Sequence, residues 1–140
     1  MTRALLDTDV ILDLLLAREP FRAAARALWT AHREGEFEGF VSPVTPVNVF
    51  YIGRKIKGRA TAYQLVAEIL ATFPVCSLDQ IALQSALTLP FADFEDAVQH
   101  TAATASGLDA IITRNLADYT NASIAVYSPT DFLRMLSTRG

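Results

Sequence analysis

Two aspartates near the start of the chain, Asp7 and Asp9, are the first residues placed to do chemistry. They follow directly on the apolar residues 4–6, and a second apolar segment begins at Val10. A continuous apolar run is typical of a strand buried in a parallel sheet, and open α/β sheets bind ligands beyond the carboxyl ends of such strands. We therefore expect Asp7 at a ligand-binding edge. The alternative is that Asp7, Thr8 or Asp9 only caps the next helix, as Asp and Thr often do.

Further polar side chains are predicted to reach the same edge of the sheet. Asp93 and Asp96 stand three residues apart at the start of a predicted helix, which places them on one helical face. The others come from the first turn of an earlier helix and from the segment that follows a later strand. In chain order, the candidates beyond Asp9 are Asn48, Asp93, Asp96, Thr113, Asn115 and Asp118.

Clustered carboxylates indicate a bound cation. Carboxylates at one edge repel one another, which raises their pKa values and costs stability unless a cation neutralises them. Oxygen ligands without His or Cys favour Mg²⁺ or Mn²⁺ over zinc, and such an ion can activate water and stabilise charge on a phosphate. Each acid also has a simpler interpretation: Asp93 and Asp96 as caps of their helix, Asp118 as a turn residue, and Asp13 as a solvated charge on a helix face.

The predicted elements explain how these residues could meet. Strands are predicted at residues 4–6, 37–41, 73–78, 110–113 and 123–126. Helices are predicted at residues 10–16, 20–33, 46–53, 61–72, 80–88, 93–105 and 131–136, with Thr45, Asp79 and Thr130 as caps. This alternation predicts a three-layer α/β/α fold with a mostly parallel sheet of about five strands.

The composition is typical of one well-packed domain spanning residues 1–140. Hydrophobic residues make up 51% of the chain, which favours a globular core over disorder. No apolar run reaches membrane-spanning length, and acids interrupt the short apolar stretch after Arg3, so neither a membrane span nor a signal peptide is expected. The single cysteine, Cys76, cannot form an internal disulfide and lies in an apolar run, which predicts a buried thiol in a reducing cytoplasm.

Positive charge is distributed unevenly along the chain. The formal net charge of −3 does not by itself indicate a nucleic-acid-binding protein. Residues 54–59 nevertheless contain both lysines of the chain and form its one dense basic cluster. These side chains could guide an RNA backbone, or they could be a solvated basic helix end that complements the helix dipole. The cluster consists of Arg54, Lys55, Lys57 and Arg59.

Five segments, taken in order, resemble the motifs of one family. The chain is similar to the PIN domain, the fold of VapC-type toxin ribonucleases, and the resemblance spans nearly its whole length. No single motif is specific, but their order and spacing are. The segments are LLDTDVILDLLL, SPVTPVNVFYIGRK, DFEDAVQHTAA, DAIITRNLADY and IAVYSPTDFL.

The resemblance implies a metal-dependent endoribonuclease of a toxin–antitoxin pair. Asp7 matches the first acid of the family's site, Asp96 the acid on the later helix, and Asp118 the acid after the fourth predicted strand. These three residues would hold Mg²⁺ or Mn²⁺, with Asn48 and Asp93 assisting. The metal would help water to attack an RNA phosphodiester.

The resemblance also assigns supporting residues and partners. Thr113 matches a hydroxyl residue that orients this corner of the site, and other branches of the family carry the acid at the position of Asn115. Asp9 would support the same corner. The implied partners are RNA as substrate, an antitoxin that inserts a segment into the acidic groove, and a second copy in a homodimer. Exposed aromatic residues could serve these contacts, although aromatics at helical spacing are more often core: Phe50, Tyr51 and Tyr63.

Asn48 departs from the family pattern, which usually places a glutamate in that helical turn. A neutral amide can coordinate a hard cation through its carbonyl oxygen, but it supplies no charge, so metal affinity should be lower. This departure motivates an alternative function, a catalytically weakened PIN module that binds RNA or a protein partner. His100 lies one turn beyond Asp96 and is predicted to be a packing or surface residue rather than a base.

A third interpretation is a phosphohydrolase of the haloacid-dehalogenase type. Asp7 and Asp9 resemble that family's nucleophile and acid/base at a strand end. Its mechanism needs a lysine after the second motif, and no lysine follows Lys57 in this chain. The missing lysine argues against this interpretation.

Overall fold

Four short parallel strands form the central sheet of the computed structural model, which describes residues 1–139. The strands are β1 (Arg3–Leu6), β2 (Glu38–Phe40), β3 (Ala110–Ile112) and β4 (Ala125–Tyr127), in the spatial order β2-β1-β3-β4. The helices are α1 (Thr8–Leu15), α2 (Arg22–Arg33), α3 (Val44–Lys57), α4 (Arg59–Thr72), α5 (Gln80–Leu87), α6 (Phe94–Ala105) and α7 (Pro129–Arg139), and a 3₁₀ turn spans Leu116–Tyr119.

Helices cover both faces of the sheet. Side chains alternate between the faces along each strand. Leu6 and Ile112 pack on one face against residues of α1, α2, α3, α4 and α7. Leu5 and Ile111 pack on the other face, mainly against α6, and α5 packs on α6 in turn. Burying each such side chain contributes about 1.5–3 kcal/mol. The predicted three-layer α/β fold with a parallel sheet is therefore confirmed.

The register of the strands determines which loops share one edge. Leu5 of β1 pairs with Phe40 of β2, and Leu6 pairs with Ile112 of β3. Because the strands are parallel, the segments that leave β1, β2 and β3 start side by side. The sequence after β1 begins with Asp7, and the sequence after β3 begins with Thr113.

The predicted strand at residues 73–78 is wrong, and the sheet has four strands among the described residues rather than about five. This segment forms only an isolated bridge between Val75 and Val41. Val41 donates from its backbone nitrogen to the Pro74 carbonyl over 3.1 Å, and the Cys76 nitrogen donates back to Val41 over 2.8 Å. Pro74 has no backbone N–H to offer a second strand, which limits the pairing. Cys76 is a free, buried thiol, as predicted.

The predicted helix end near Gly53 is also wrong, because α3 continues to Lys57. Gly53 is buried, and a Cβ atom there would lie 3.0 Å from Cδ1 of Leu65 on α4. The glycine therefore permits close packing of two helices rather than a turn. The turn falls at Gly58, whose φ of 90° favours glycine, and α4 starts directly after it.

No helix in residues 1–139 is both long enough and apolar enough to cross a bilayer.

Candidate active site

Asp7 lies at the carboxyl end of β1 and is surrounded by donors. Its Oδ1 accepts from the backbone nitrogen of Thr8 over 2.7 Å and from Nε2 of Gln99 over 3.1 Å. Its Oδ2 accepts from Oγ1 of Thr113 over 2.9 Å and from the hydroxyl of Tyr119 over 3.2 Å. The residue is only 6% exposed. The capping interpretation is confirmed, since Asp7 caps α1, but three further donors from α6, from the segment after β3 and from the 3₁₀ turn converge on the same carboxylate.

Gln99, on α6, lies beside Asp7 and contacts side chains of α1 and α3. It is fully buried, and its Nε2 lies 3.4 Å from Oγ1 of Thr8 on α1 and 3.5 Å from Oγ1 of Thr45 on α3. The two threonine hydroxyls are 2.9 Å apart. The predicted capping role of Thr45 is wrong: α3 starts at Val44, so the Thr45 hydroxyl is inside the helix and joins this buried network. Sequence reasoning missed Gln99, although it follows Asp96 by three residues on the same helix.

Tyr119 joins Asp7 to Asp96. Its hydroxyl lies 3.2 Å from Oδ2 of Asp7 and 3.4 Å from Oδ1 of Asp96, and its ring is buried. Burial and the nearby carboxylates raise the pKa of this phenol, so it remains protonated. Sequence reasoning missed Tyr119; its position directly after Asp118, in a motif already singled out, was the available signal.

Asp96 is half-buried, and its charge is destabilised by its surroundings. Burial is the main cause that raises its pKa from 3.8 to about 7, and the charges of Asp7, Asp93 and Asp118 add to the effect. The hydrogen bond from Tyr119 acts in the opposite direction. The structure therefore brings the predicted acids close enough for mutual repulsion, which is the electrostatic condition that favours a bound cation.

Asp9 connects α1 to the segment after β3. Its Oδ2 accepts from Nδ2 of Asn115 over 2.9 Å and from the backbone nitrogen of Arg114 over 3.3 Å. Its Oδ1 is buried, and no described residue donates to it. Burial, followed by repulsion from Asp7, raises the pKa of Asp9 to about 7. The predicted supporting positions Asp9, Asn115 and Thr113 thus lie together beside Asp7.

Asp13 was expected to be a solvated charge, and this expectation is wrong. Its side chain is 1% exposed and lies between two arginines. Nε of Arg18 is 2.9 Å from Oδ1, and Nε of Arg114 is 2.6 Å from Oδ2. The Arg114 guanidinium also lies over the ring of Phe21, 3.9 Å from its centroid. Asp13 thus fixes the segment that follows β3, and Arg114, its partner 101 residues away, could not be recognised from the sequence.

Asn48 and the start of α6 form the outer side of the site. Asn48 lies in the second turn of α3 rather than the first, and its Nδ2 donates to Oε1 of Glu95 over 2.6 Å. Asp93 caps α6 and accepts from the Glu95 backbone nitrogen over 2.7 Å. Asp118 is exposed in the 3₁₀ turn, where its charge acts on Asp96. Glu95 was missed as a candidate, although it lies within the DFED segment.

Comparison of the chain with models of known protein families identifies its family. The family model of the PIN domain matches residues 3–117. The chain belongs to the PIN domain family. This membership decides against the haloacid-dehalogenase interpretation. No curated protein matches the chain significantly.

Solved structures show the same fold. A toxin–antitoxin complex from Klebsiella pneumoniae is 22% identical, with a TM-score of 0.67 over 90% of this chain and 97% of that one. DNA-bound VapBC from Salmonella typhimurium is 16% identical, with a TM-score of 0.71 over 92% and 99%. A sarcin–ricin-loop-cleaving VapC toxin from Mycobacterium tuberculosis is 15% identical, with a TM-score of 0.64 over 77% and 86%.

The carboxylate oxygens at this edge of the PIN domain are of the ligand type that Mg²⁺ and Mn²⁺ prefer. Within residues 1–139, no three His, Cys, Asp or Glu side chains already form a group that could hold a metal ion. Mg²⁺ does not require such a cage, since it usually keeps several waters and binds one or two carboxylates together with substrate phosphates. Asp7 and Asp96, which share the Tyr119 hydroxyl as a partner, are the two carboxylates that could form such a pair.

The basic cluster of the PIN domain lies at the junction of α3 and α4. Its four side chains are exposed, and none forms an ion pair within residues 1–139. Arg54 lies over the ring of Tyr51 and Arg59 over that of Tyr63, 5.8 and 5.9 Å from the centroids. Both tyrosines are more than half exposed and contact Phe50. These aromatics form a surface patch rather than core.

His100 is a packing residue, as predicted. It is 4% exposed, and its Nε2 accepts from the backbone nitrogen of Ser123 over 3.0 Å. Burial lowers the pKa of its imidazole. The ring packs against Phe91, with the centroids 5.2 Å apart.

Proposed function

We propose that this PIN domain is a metal-dependent endoribonuclease of the VapC type, the toxin of a toxin–antitoxin pair. The observation that carries the proposal is the meeting of Asp7 and Asp96 at the Tyr119 hydroxyl, at the carboxyl edge of the sheet. The Mycobacterium tuberculosis relative, whose name describes a sarcin–ricin-loop-cleaving toxin, supports RNA as the substrate class. Asp118, Asn48 and Asp93 lie on the open side, where an RNA strand would enter.

Asp7 and Asp96 would hold Mg²⁺ or Mn²⁺, with Asp118 on the open side as the third acid. When bound, the cation offsets the carboxylate charges, activates water and stabilises charge that develops on the phosphodiester. The donors around Asp7 keep its carboxylate in one orientation before any ligand arrives, and such supporting contacts tune metal sites strongly. Thr113 has two parts in this support, since its hydroxyl donates to Asp7 and accepts from the Asn115 backbone nitrogen over 3.0 Å.

The basic cluster would contact the RNA backbone away from the cleavage point. Asn48 and Lys57 are nine residues apart on α3, which corresponds to about 14 Å along the helix axis. This separation lets a strand bound at the acidic edge run past the cluster. Arg54, Lys55, Lys57 and Arg59 would then offset phosphate charge.

The proposed partners follow from the same family. Several structural relatives are toxin–antitoxin complexes, which supports an antitoxin as the partner of this chain. The patch of half-buried Phe50 and exposed Tyr51 and Tyr63 offers an apolar surface for the antitoxin or for a second copy in a homodimer. We place this activity in the cytoplasm, where RNA is available.

The test is cleavage of a pool of structured RNAs in the presence of Mn²⁺, Mg²⁺ or EDTA. We expect the parent chain to cleave with either cation and not with EDTA, and Asp7→Asn to abolish cleavage. Asp131→Asn is the matched control, because it removes an exposed carboxylate on α7 and should leave cleavage unchanged. Cleavage that persists in Asp7→Asn would contradict the proposed site.

A catalytically weakened module that binds RNA or a protein is the second candidate. The neutral amide of Asn48 on the rim of the site favours it. Asn48→Glu separates the two functions. Cleavage by the variant but not by the parent chain would establish the weakened module, whereas cleavage by the parent establishes the nuclease.

A further inference from the structure

A groove between α3 and α4 is lined by apolar and aromatic side chains. Its volume is about 300 Å³, at the lower end of the range for ligand pockets. The half-buried ring of Phe50 lies between two exposed tyrosines, with its centroid 5.1 Å from that of Tyr51 and 4.7 Å from that of Tyr63. The lining residues are Pro46, Val47, Phe50, Tyr51, Tyr63 and Val66. Three packed rings thus form a preformed apolar site on the surface.

Each tyrosine of the groove has an arginine beside it. Arg54 lies over the ring of Tyr51, and Arg59 lies over the ring of Tyr63. Tyr51 is 58% exposed and Tyr63 is 55% exposed, so more than half of each residue stays accessible. Aromatic rings and guanidinium planes are the groups on which unpaired nucleic-acid bases stack. Each pair therefore offers a ring to a base and a cation to the adjoining phosphate.

The charge around the groove complements a polyanion. No Asp or Glu occurs in residues 39–67, which contain the whole basic cluster. The four basic residues of this segment leave eight Lys and Arg against fifteen Asp and Glu in the rest of the chain. A nucleic acid is therefore attracted to the junction of α3 and α4, although the chain as a whole carries a net charge of −3.

The groove begins beside the acidic edge. Val47 directly precedes Asn48 on α3, and Tyr51 follows Asn48 by three residues. Residues three apart on a helix are neighbours on its surface, with Cβ atoms about 5–6 Å apart. A strand that lies in the groove would therefore pass the rim of the candidate site.

We propose that this groove binds unpaired bases of single-stranded RNA, which stack on Tyr51 and Tyr63 while the basic cluster contacts the backbone. The inference rests on the proposed function and deepens it, because it names RNA with unpaired bases as the substrate class. In a duplex the bases are stacked on one another, so a duplex can use the basic cluster but not the groove.

The same charges make a second copy a less suitable occupant of the groove. Two copies that met at this surface would bring two basic clusters together, and like charges across an interface repel. An antitoxin bound to the patch would cover the groove, which is compatible with RNA as the occupant of the free chain.

The experiment measures binding of the full chain to a short fluorescent single-stranded RNA of mixed sequence, by anisotropy, in EDTA. We expect Tyr51→Ala or Tyr63→Ala to weaken binding about 5-fold or more, as for the loss of one stacked base. Tyr51→Phe keeps the ring and should bind as the parent does. Ile81→Ala is the matched control, because it removes an exposed apolar side chain from α5, across the sheet, and should leave the affinity unchanged.

The salt dependence separates stacking from charge. Because stacking neutralises no phosphate, Tyr51→Ala should lower the affinity without changing the slope of log affinity against log salt. The same RNA annealed to its complement should bind the parent and Tyr51→Ala equally. Equal weakening of duplex and single-strand binding by Tyr51→Ala would overturn stacking in the groove.

Cleavage with Mn²⁺ separates failure of this inference from failure of the proposed function. A parent chain that cleaves RNA, together with tyrosine variants that bind RNA as the parent does, would overturn the groove and leave the nuclease standing. Binding that depends on the tyrosines without any cleavage would support the groove and overturn the nuclease. A dimer that Tyr51→Ala converts to a monomer, with RNA affinity unchanged, would assign the surface to a second copy and overturn the inference. Absence of both binding and cleavage would overturn both proposals.

Discussion

The two halves of the candidate site differ in burial and in how many donors hold each side chain. In the inner half, the carboxylate of Asp7 accepts four hydrogen bonds, and every side chain of this half is buried. In the outer half, side chains are exposed or half-exposed and make one or two contacts. The inner half consists of Asp7, Thr8, Gln99, Thr113 and Tyr119, and the outer half consists of Asn48, Asp93, Glu95 and Asp118. Asp96 lies between them.

This difference separates residues that the stability of the fold requires from residues that can be replaced without loss of stability. The inner residues are hydrogen-bonded to one another, so loss of one partner leaves a buried polar group unpaired, at a cost of about 1–3 kcal/mol. The outer residues meet water when their partners are removed. Substitutions in the outer half should therefore leave the core undisturbed, whereas Asp7 has no alternative position.

Thr113→Val tests the inner half and carries the largest expected effect. Valine has the shape of threonine but cannot donate to Asp7 or accept from Asn115, so we expect the free energy of unfolding to fall by about 1–3 kcal/mol. Mn²⁺ affinity should fall about 10- to 100-fold, because the hydroxyl orients a ligand. Denaturant unfolding and calorimetry measure the two effects.

Asn48→Ala is the matched outer variant. Its effect on unfolding should stay within about 0.5 kcal/mol, as for most surface substitutions. Equal losses of stability in Thr113→Val and Asn48→Ala would show that the two halves do not differ as the structure indicates.

The sequence predicted the positions that depend on strand ends and helical spacing. Asp7 and Thr113 follow directly on strands, and the parallel register brings them together. Glu95, Gln99 and Tyr119 were missed because their partners come from distant elements, and no local pattern distinguishes a buried polar network from an ordinary helix face. Their functional roles, like those of the predicted acids, stay predictions until metal binding is measured.

Asp13, which pairs with two arginines, shows the same limit of sequence-based prediction, because a residue predicted to be exposed is buried. Its spacing on α1 resembles that of an exposed charge, and only the packing of Arg18 and Arg114 from separate segments makes it buried. The predicted strand at residues 73–78 failed for a related reason, since a single proline restricted pairing that its apolar pattern favoured.

The pH dependence of stability tests the residue between the two halves. Folding raises the pKa of Asp96 from 3.8 to about 7, so between those values the folded chain binds more protons than the unfolded chain. Stability contributed by this group is therefore lost as pH rises from about 4 to about 7. Relative to the parent, metal-free Asp96→Asn should gain stability across that interval, as measured by thermal unfolding. A difference independent of pH would contradict the raised pKa of Asp96.

The basic cluster lies outside both halves of the site, so substitutions in it should have the smallest effect of the changes considered. Replacement of Lys55 and Lys57 by alanine should weaken RNA binding and reduce the slope of log affinity against log salt by about two, since each lysine would neutralise one phosphate. Arg22→Ala with Arg26→Ala removes the same charge from exposed positions on α2 and is the matched control. If both pairs change the slope equally, only net charge matters; a change confined to the lysines places the RNA backbone along α3, beside the outer half of the site.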